Sequence, residues 1–106
     1  MNDQTVLIVD DEISILKVAR HHLEHARFMV LQARDGLNGL NLARTQQPNV
    51  IVLDVILPKL DGWRVLEELR SNTDLERRIP VLMLKARGEE SDLWLGRDGL
   101  NAQRIV

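Results

Sequence analysis

Apolar residues fall into two alternating registers along the chain. Val6–Val9 is a short β-branched run that reads as a strand, and Leu16, Ala19, Leu23 and Ala26 then recur at three and four. That spacing gives a helix with one apolar stripe. Met29–Ala33 reads as a second strand and Asp35-Gly36 as a turn, followed by a helix that carries Leu37, Leu40 and Ala43 and ends at Pro48. Val50–Leu53 is a third strand. After Pro58 and Asp61-Gly62, the spacing of Val65, Leu66 and Leu69 gives a third helix, and Pro80 introduces a fourth strand, Val81–Leu84. The first, third and fourth runs are apolar on both faces, the mark of parallel strands covered by helices on both sides. Strand–helix alternation with short links then predicts an α/β open sheet with right-handed crossovers.

From Gly88 the periodicity fades. Glu89–Leu95 suits a short helix, and Arg104-Ile105-Val106 the start of a fifth strand. The pentapeptide Arg-Asp-Gly-Leu-Asn occurs at 34–38 and again at 97–101, a unit too short for a solenoid.

Composition narrows the class. A chain of 106 residues holds one domain, large enough to bury a core without disulfides, and it has no cysteine. A thiolate nucleophile, a Cys-ligated zinc and a disulfide scaffold are thereby excluded. The 14 basic and 16 acidic residues are well mixed, for a net charge of -2. That balance gives no electrostatic reason to expect nucleic-acid or membrane contact by this segment. The apolar stretches fall far short of a membrane span and no basic-then-apolar leader opens the chain, so a cytoplasmic domain is expected.

Two of the buried runs end in acid. Val50–Leu53 leads into Asp54, and Val6–Val9 into Asp10, Asp11 and Glu12. Strands of a parallel sheet end on one edge, and ligands bind there where the strand order reverses. If the first and third runs are neighbours, Asp10, Asp11 and Asp54 converge, while Glu12 begins the helix and points aside. Three such carboxylates repel, and one must hold its proton unless a cation sits among them. Mg²⁺, a hard ion that takes few carboxylates and keeps waters for a phosphate, is the natural choice. The plainer alternative is that each Asp caps the turn leaving its strand. Two matched strand ends, one doubled, favour the metal.

Other signals carry less. His21 and His25 lie four apart but lack a third ligand, and His22 and Glu24 fit a solvated face. Trp63 and Trp94 read as partly buried packing, and Glu67, Glu68 and Arg70 as an exposed helix face. Asp54-Val55-Ile56 has no second acid two residues on, against a phosphatase with paired aspartates.

"VLIVDDEISILKVARHHLE", "VIVLDVILPKLDGWRVLEELR" and "IPVLMLKARGEES" together resemble the receiver domain of two-component response regulators. The resemblance covers residues 5 to about 92. It implies a doubly wound, flavodoxin-like parallel sheet of order 2-1-3-4-5. It also implies Asp54 as the phosphoacceptor for a sensor histidine kinase or phosphotransfer protein. Asp10 and Asp11 become Mg²⁺ ligands with Asp54, and Ile56 lends the ion a backbone carbonyl. Pro58, Asp61 and Gly62 match the loop leading into the third helix.

Departures cluster late. Lys85, followed by Ala86, stands where the family places Ser or Thr, and either pairs with Asp54 or extends into solvent. The family's lysine after the fifth strand would follow Val106, and the aromatic residue usual on that strand is missing. The sequence is atypical after about residue 92, and the final helix is expected to be missing. Uncovered apolar strands would then favour a homodimer or a segment-exchanged oligomer. The leading reading is a non-enzymatic phosphoacceptor domain. A receiver-like interaction module that no longer takes phosphate is the alternative. A metal-dependent hydrolase is weaker, for want of a separate general base.

Overall fold

The computed structural model describes residues 4–71 and 78–84, and the backbone of 103–104. Its elements in chain order are strand β1 (Thr5–Val9), helix α1 (Ile13–His25), β2 (Met29–Ala33), α2 (Gly36–Gln46), β3 (Val50–Asp54), α3 (Gly62–Ser71), β4 (Val81–Leu84) and β5 (Gln103–Arg104). Every strand pairing is parallel, and the sheet runs β2-β1-β3-β4-β5. The order reverses between β1 and β3, which are paired with Val9 opposite Leu53. Their C-terminal ends therefore lie side by side, as the two acid-ended runs require.

The pleat sorts β1 between two cores. Leu7 and Val9 face one side with Ile51, Leu53, Val65, Leu66 and Leu69, under α2 and α3. Val6 and Ile8 face the other side with Leu16 of α1. All four β1 residues, Val6 to Val9, are buried, which accounts for a run that shows no alternation in sequence.

Two helices differ in detail from their apolar spacing. Ala26 lies beyond the last turn of α1 and is exposed. There Arg27, at φ 72, turns the chain: Arg27 N donates to Glu24 O and Phe28 N to Leu23 O. This is the left-handed cap that returns Phe28 against Leu23. In α2 the buried face is Gly36, Gly39, Leu40 and Ala43, and Leu37 is 54% exposed. Glycine carries no hydropathy signal, so the stripe was displaced by one position.

The face of Glu67, Glu68 and Arg70 also needs correction. Of the three only Glu67 is exposed, and Glu68 and Arg70 are half-buried. Glu68 sits between Arg44 and Arg64 at 3.5 Å from each, tying α2 to α3, and Arg70 donates to the Ile79 carbonyl at 2.8 Å. Trp63 is half-buried against the larger core, as expected. The helix expected at Glu89–Leu95, Trp94 and the second copy of the pentapeptide lie outside the described residues.

Candidate functional site

Asp10 follows β1 and Asp54 closes β3, so the parallel register carries both to one edge. Asp11 stands next to Asp10. One carboxylate oxygen from each of the three lies within 4.8 Å of the others, and this is the only such cluster among the described residues. Asp10 is buried, Asp54 half-buried and Asp11 exposed, giving a graded mouth that opens to solvent. Glu12 starts α1 and is exposed, outside the cluster, as its position suggested.

Both strand-end acids also cap their turns. Asp10 Oδ1 accepts from Glu12 N at 2.9 Å and Asp54 Oδ1 from Ile56 N at 3.3 Å. Turn capping and cation binding are therefore not rivals here, since each cap uses one oxygen of a carboxylate that has two. The caps fix the rotamers of the acids that face each other.

Crowding shows in their acidity. The Asp54 pKa is pushed from its ordinary 3.8 up to about 6, first by burial and next by the charge of Asp10, against the Ile56 amide. Asp10 is also raised, mainly by burial, with the Glu12 amide opposing and the charges of Asp11 and Glu12 adding. A buried carboxylate pair of this kind is destabilised as a set of anions and relieved by a cation. The donor set is all oxygen, partly open, and contains no soft ligand, which fits Mg²⁺.

The loop after Asp54 is held at several points. Gly62 N donates to Val55 O at 2.8 Å, closing the loop on itself. A side chain on Gly62 would land on the Asp54 carbonyl oxygen, so only glycine permits this approach. Asp61 caps α3, its Oδ1 accepting from Arg64 N at 2.9 Å. Pro58 is exposed, and its carbonyl accepts from Leu60 N at 2.7 Å and Gly36 N at 3.3 Å. Ile56 is 62% exposed. Lys85 and Ala86 lie outside the described residues.

Residues that sequence reasoning passed over also meet this loop. Asp35 and Gly36, read as an ordinary turn, touch it through Lys59 and Pro58. The only signal for them was the Asp-Gly pair itself, which marks turns everywhere. His21, His22 and His25 are exposed on α1, with the His21 and His25 rings 6.4 Å apart. They belong to no group of three converging metal-ligating side chains among the described residues.

Comparison with known proteins agrees with the geometry. A transcriptional regulatory protein for alkaline phosphatase synthesis, PhoP of Bacillus subtilis (strain 168), is 44% identical over 94 residues, 89% of this chain and 38% of its own length. The transcriptional regulator RpaA of Synechocystis is 43% identical over 93 residues, 88% of this chain and 38% of its own. The chain thus spans well under half the length of these curated relatives. Among solved structures, it superposes at a TM-score of 0.85 on the receiver domain of a sensor histidine kinase from Pseudomonas aeruginosa PAO1. That structure has a magnesium ion coordinated in its active site cleft; it is 26% identical, and the match covers 99% of this chain and 85% of that one. Residues 6–98 match the response regulator receiver domain as a family. With its sheet order, its acid-ended strands and these relatives taken together, the chain belongs to the receiver domains of two-component response regulators.

Proposed function

We propose that Asp54 accepts a phosphoryl group, and that Asp10, Asp11 and Asp54, with the Ile56 backbone carbonyl, hold Mg²⁺. The observation that carries this reading is the convergence of three carboxylates within 4.8 Å at the edge where β1 and β3 end. Asp54 Oδ1 is engaged by the Ile56 amide, which leaves Oδ2 to attack. With a pKa of about 6 the group is mostly ionised at neutral pH, yet more basic than an ordinary aspartate. In transfer from a phosphohistidine, the Oδ2–phosphorus bond forms as the phosphorus–nitrogen bond breaks. The electron pair stays on the imidazole. When bound, Mg²⁺ neutralises charge on the transferring oxygens and on the three carboxylates.

The donor is a sensor histidine kinase or phosphotransfer protein. The domain is spent in each transfer rather than turning over, so it is not an enzyme in the usual sense. We take residues 1–106 as one receiver-like domain, atypical after about 92, acting in the cytoplasm. No helix among the described residues is long and apolar enough to cross a membrane. The named relatives are transcriptional regulators more than twice as long, so DNA contact would fall to a part other than this segment. Lys85, followed by Ala86, occupies the family's switch position, where a hydroxyl would follow the phosphate. A groove of about 520 Å³ lined by Val6, Leu23, Phe28, Val50, Val52 and Leu82 offers apolar surface for a homodimer or segment-exchanged oligomer. Sedimentation over a wide concentration range reads that association directly.

Incubation with a small acyl phosphate and Mg²⁺, followed by intact mass, tests the main reading. A single phosphoryl adduct is expected, lost without Mg²⁺ and lost in Asp54→Asn. Tight Mg²⁺ binding with no adduct would favour the phosphate-free interaction module instead.

A further inference from the structure

The loop that follows Asp54 contains a strained turn. Pro58 O accepts from Leu60 N at 2.7 Å across one intervening residue, and that residue, Lys59, has φ 70. A three-residue turn with a left-handed, non-glycine centre is rare and unfavourable, and it persists only where its surroundings hold it. The surroundings here are the turn between β2 and α2. Gly36 N donates to the same Pro58 carbonyl at 3.3 Å. Asp35, only 7% exposed, points Oδ2 at Lys59 Nζ from 3.7 Å while its Oδ1 caps α2 through Asn38 N at 2.8 Å. Gly36 lies so close that a Cβ there would fall on the Leu60 carbonyl oxygen. The C-terminal end of β2, which leads directly into this turn, is tied as well, because Asp10 N donates to Ala33 O at 3.0 Å.

A turn that contributes no acid to the cluster is thus bonded to the loop after Asp54, and the strand end that leads into it is bonded to Asp10. We infer that the Asp35-Gly36 turn is a positioning clamp for the cation and phosphoryl site, holding the Ile56–Leu60 segment in its strained form so that the Ile56 carbonyl faces the acids. This rests on the proposed Mg²⁺ site. The backbone bond and the close approach of Gly36 are the main part of the clamp. The ion pair to an exposed lysine contributes little energy alone and chiefly selects the orientation of the turn. Groups that orient metal ligands commonly matter to affinity nearly as much as the ligands do.

Gly36→Ala, Lys59→Ala and Lys59→Arg test the clamp by two readouts: Mg²⁺ affinity by calorimetry, and amide hydrogen exchange in the metal-free protein. Gly36→Ala is expected to weaken Mg²⁺ roughly tenfold, the lower range for a group that orients ligands. It should also speed exchange at Ile56 and Gly62. Lys59→Ala should move both in the same direction by less, and Lys59→Arg should restore them. If Gly36→Ala does not fold, Lys59→Ala with its Arg rescue decides. Folded variants with wild-type Mg²⁺ affinity would overturn the clamp, even where exchange is faster. Wild-type protein that binds no Mg²⁺ would overturn the metal site itself. In that case unchanged exchange would refute the clamp separately.

Discussion

At Asp54 a single side chain carries opposing demands. Its Oδ1 is fixed by the Ile56 amide, while burial and the charge of Asp10 raise its pKa to about 6. Between about pH 4 and 6 the folded protein therefore keeps a proton that the unfolded chain has lost. Metal-free stability falls as pH rises through that window and levels off above it. The shift corresponds to on the order of 1–2 kcal/mol once partial exposure is allowed for. Asp54→Asn keeps an oxygen for the Ile56 amide but removes the charge. It is expected to stabilise the metal-free protein by about 1 kcal/mol at pH 7 and to leave stability near pH 4 unchanged. Urea denaturation at both pH values measures this, and equal stability at pH 7 would show that the acids do not strain one another. The doubled acids were legible in the sequence because an apolar run ending in Asp is unusual on its own. Their caps were legible too, but only the register shows that the capped acids also converge.

Helix α2 illustrates what apolar spacing misses. Leu40 and Ala43 do face the core, yet Leu37 points to solvent and Gly39 takes the intervening contact. A Cβ on Gly39 would stand 2.9 Å from both methyl groups of Val9. Gly39→Ala therefore sets two effects against each other. Helix propensity favours alanine by about 0.8–1.0 kcal/mol, whereas overpacking against a stiff, buried valine costs about 1–3 kcal/mol. Overpacking wins, and a net loss of about 1 kcal/mol is expected in chemical denaturation. A gain in stability would mean that α2 can lift from β1 freely. Strand assignments transferred well from sequence to structure because β-branched runs flanked by turns have few alternatives. Helix faces built on glycine did not, since a missing side chain leaves no pattern to read. The role of the Asp35-Gly36 turn was hidden for a different reason: its partners are Lys59 and Pro58, more than twenty residues away.

Across the whole molecule, fold and site are coupled through one sheet edge. The acids sit at the ends of β1 and β3, whose side chains fill both cores. An ion that binds only the folded arrangement must stabilise the entire sheet. Mg²⁺ at one hundred times its dissociation constant is expected to add about 2.7 kcal/mol. Thermal unfolding with and without Mg²⁺ reads this, and the shift should shrink in Asp10→Ala. An identical melting curve in both conditions would mean that the acid cluster holds no ion. The open parallel sheet was legible from strand–helix alternation and its order from the family resemblance, while the tie between the β2 and β3 loops depends on tertiary contacts that no local pattern reports. The most direct test of the central claim is to locate the phosphoryl group itself. After reaction with an acyl phosphate and Mg²⁺, borohydride reduction of the acyl phosphate followed by peptide mass mapping marks the modified aspartate. The mark is expected on Asp54 alone; a mark on Asp10 or Asp11, or none on a Mg²⁺-loaded protein, would contradict the account.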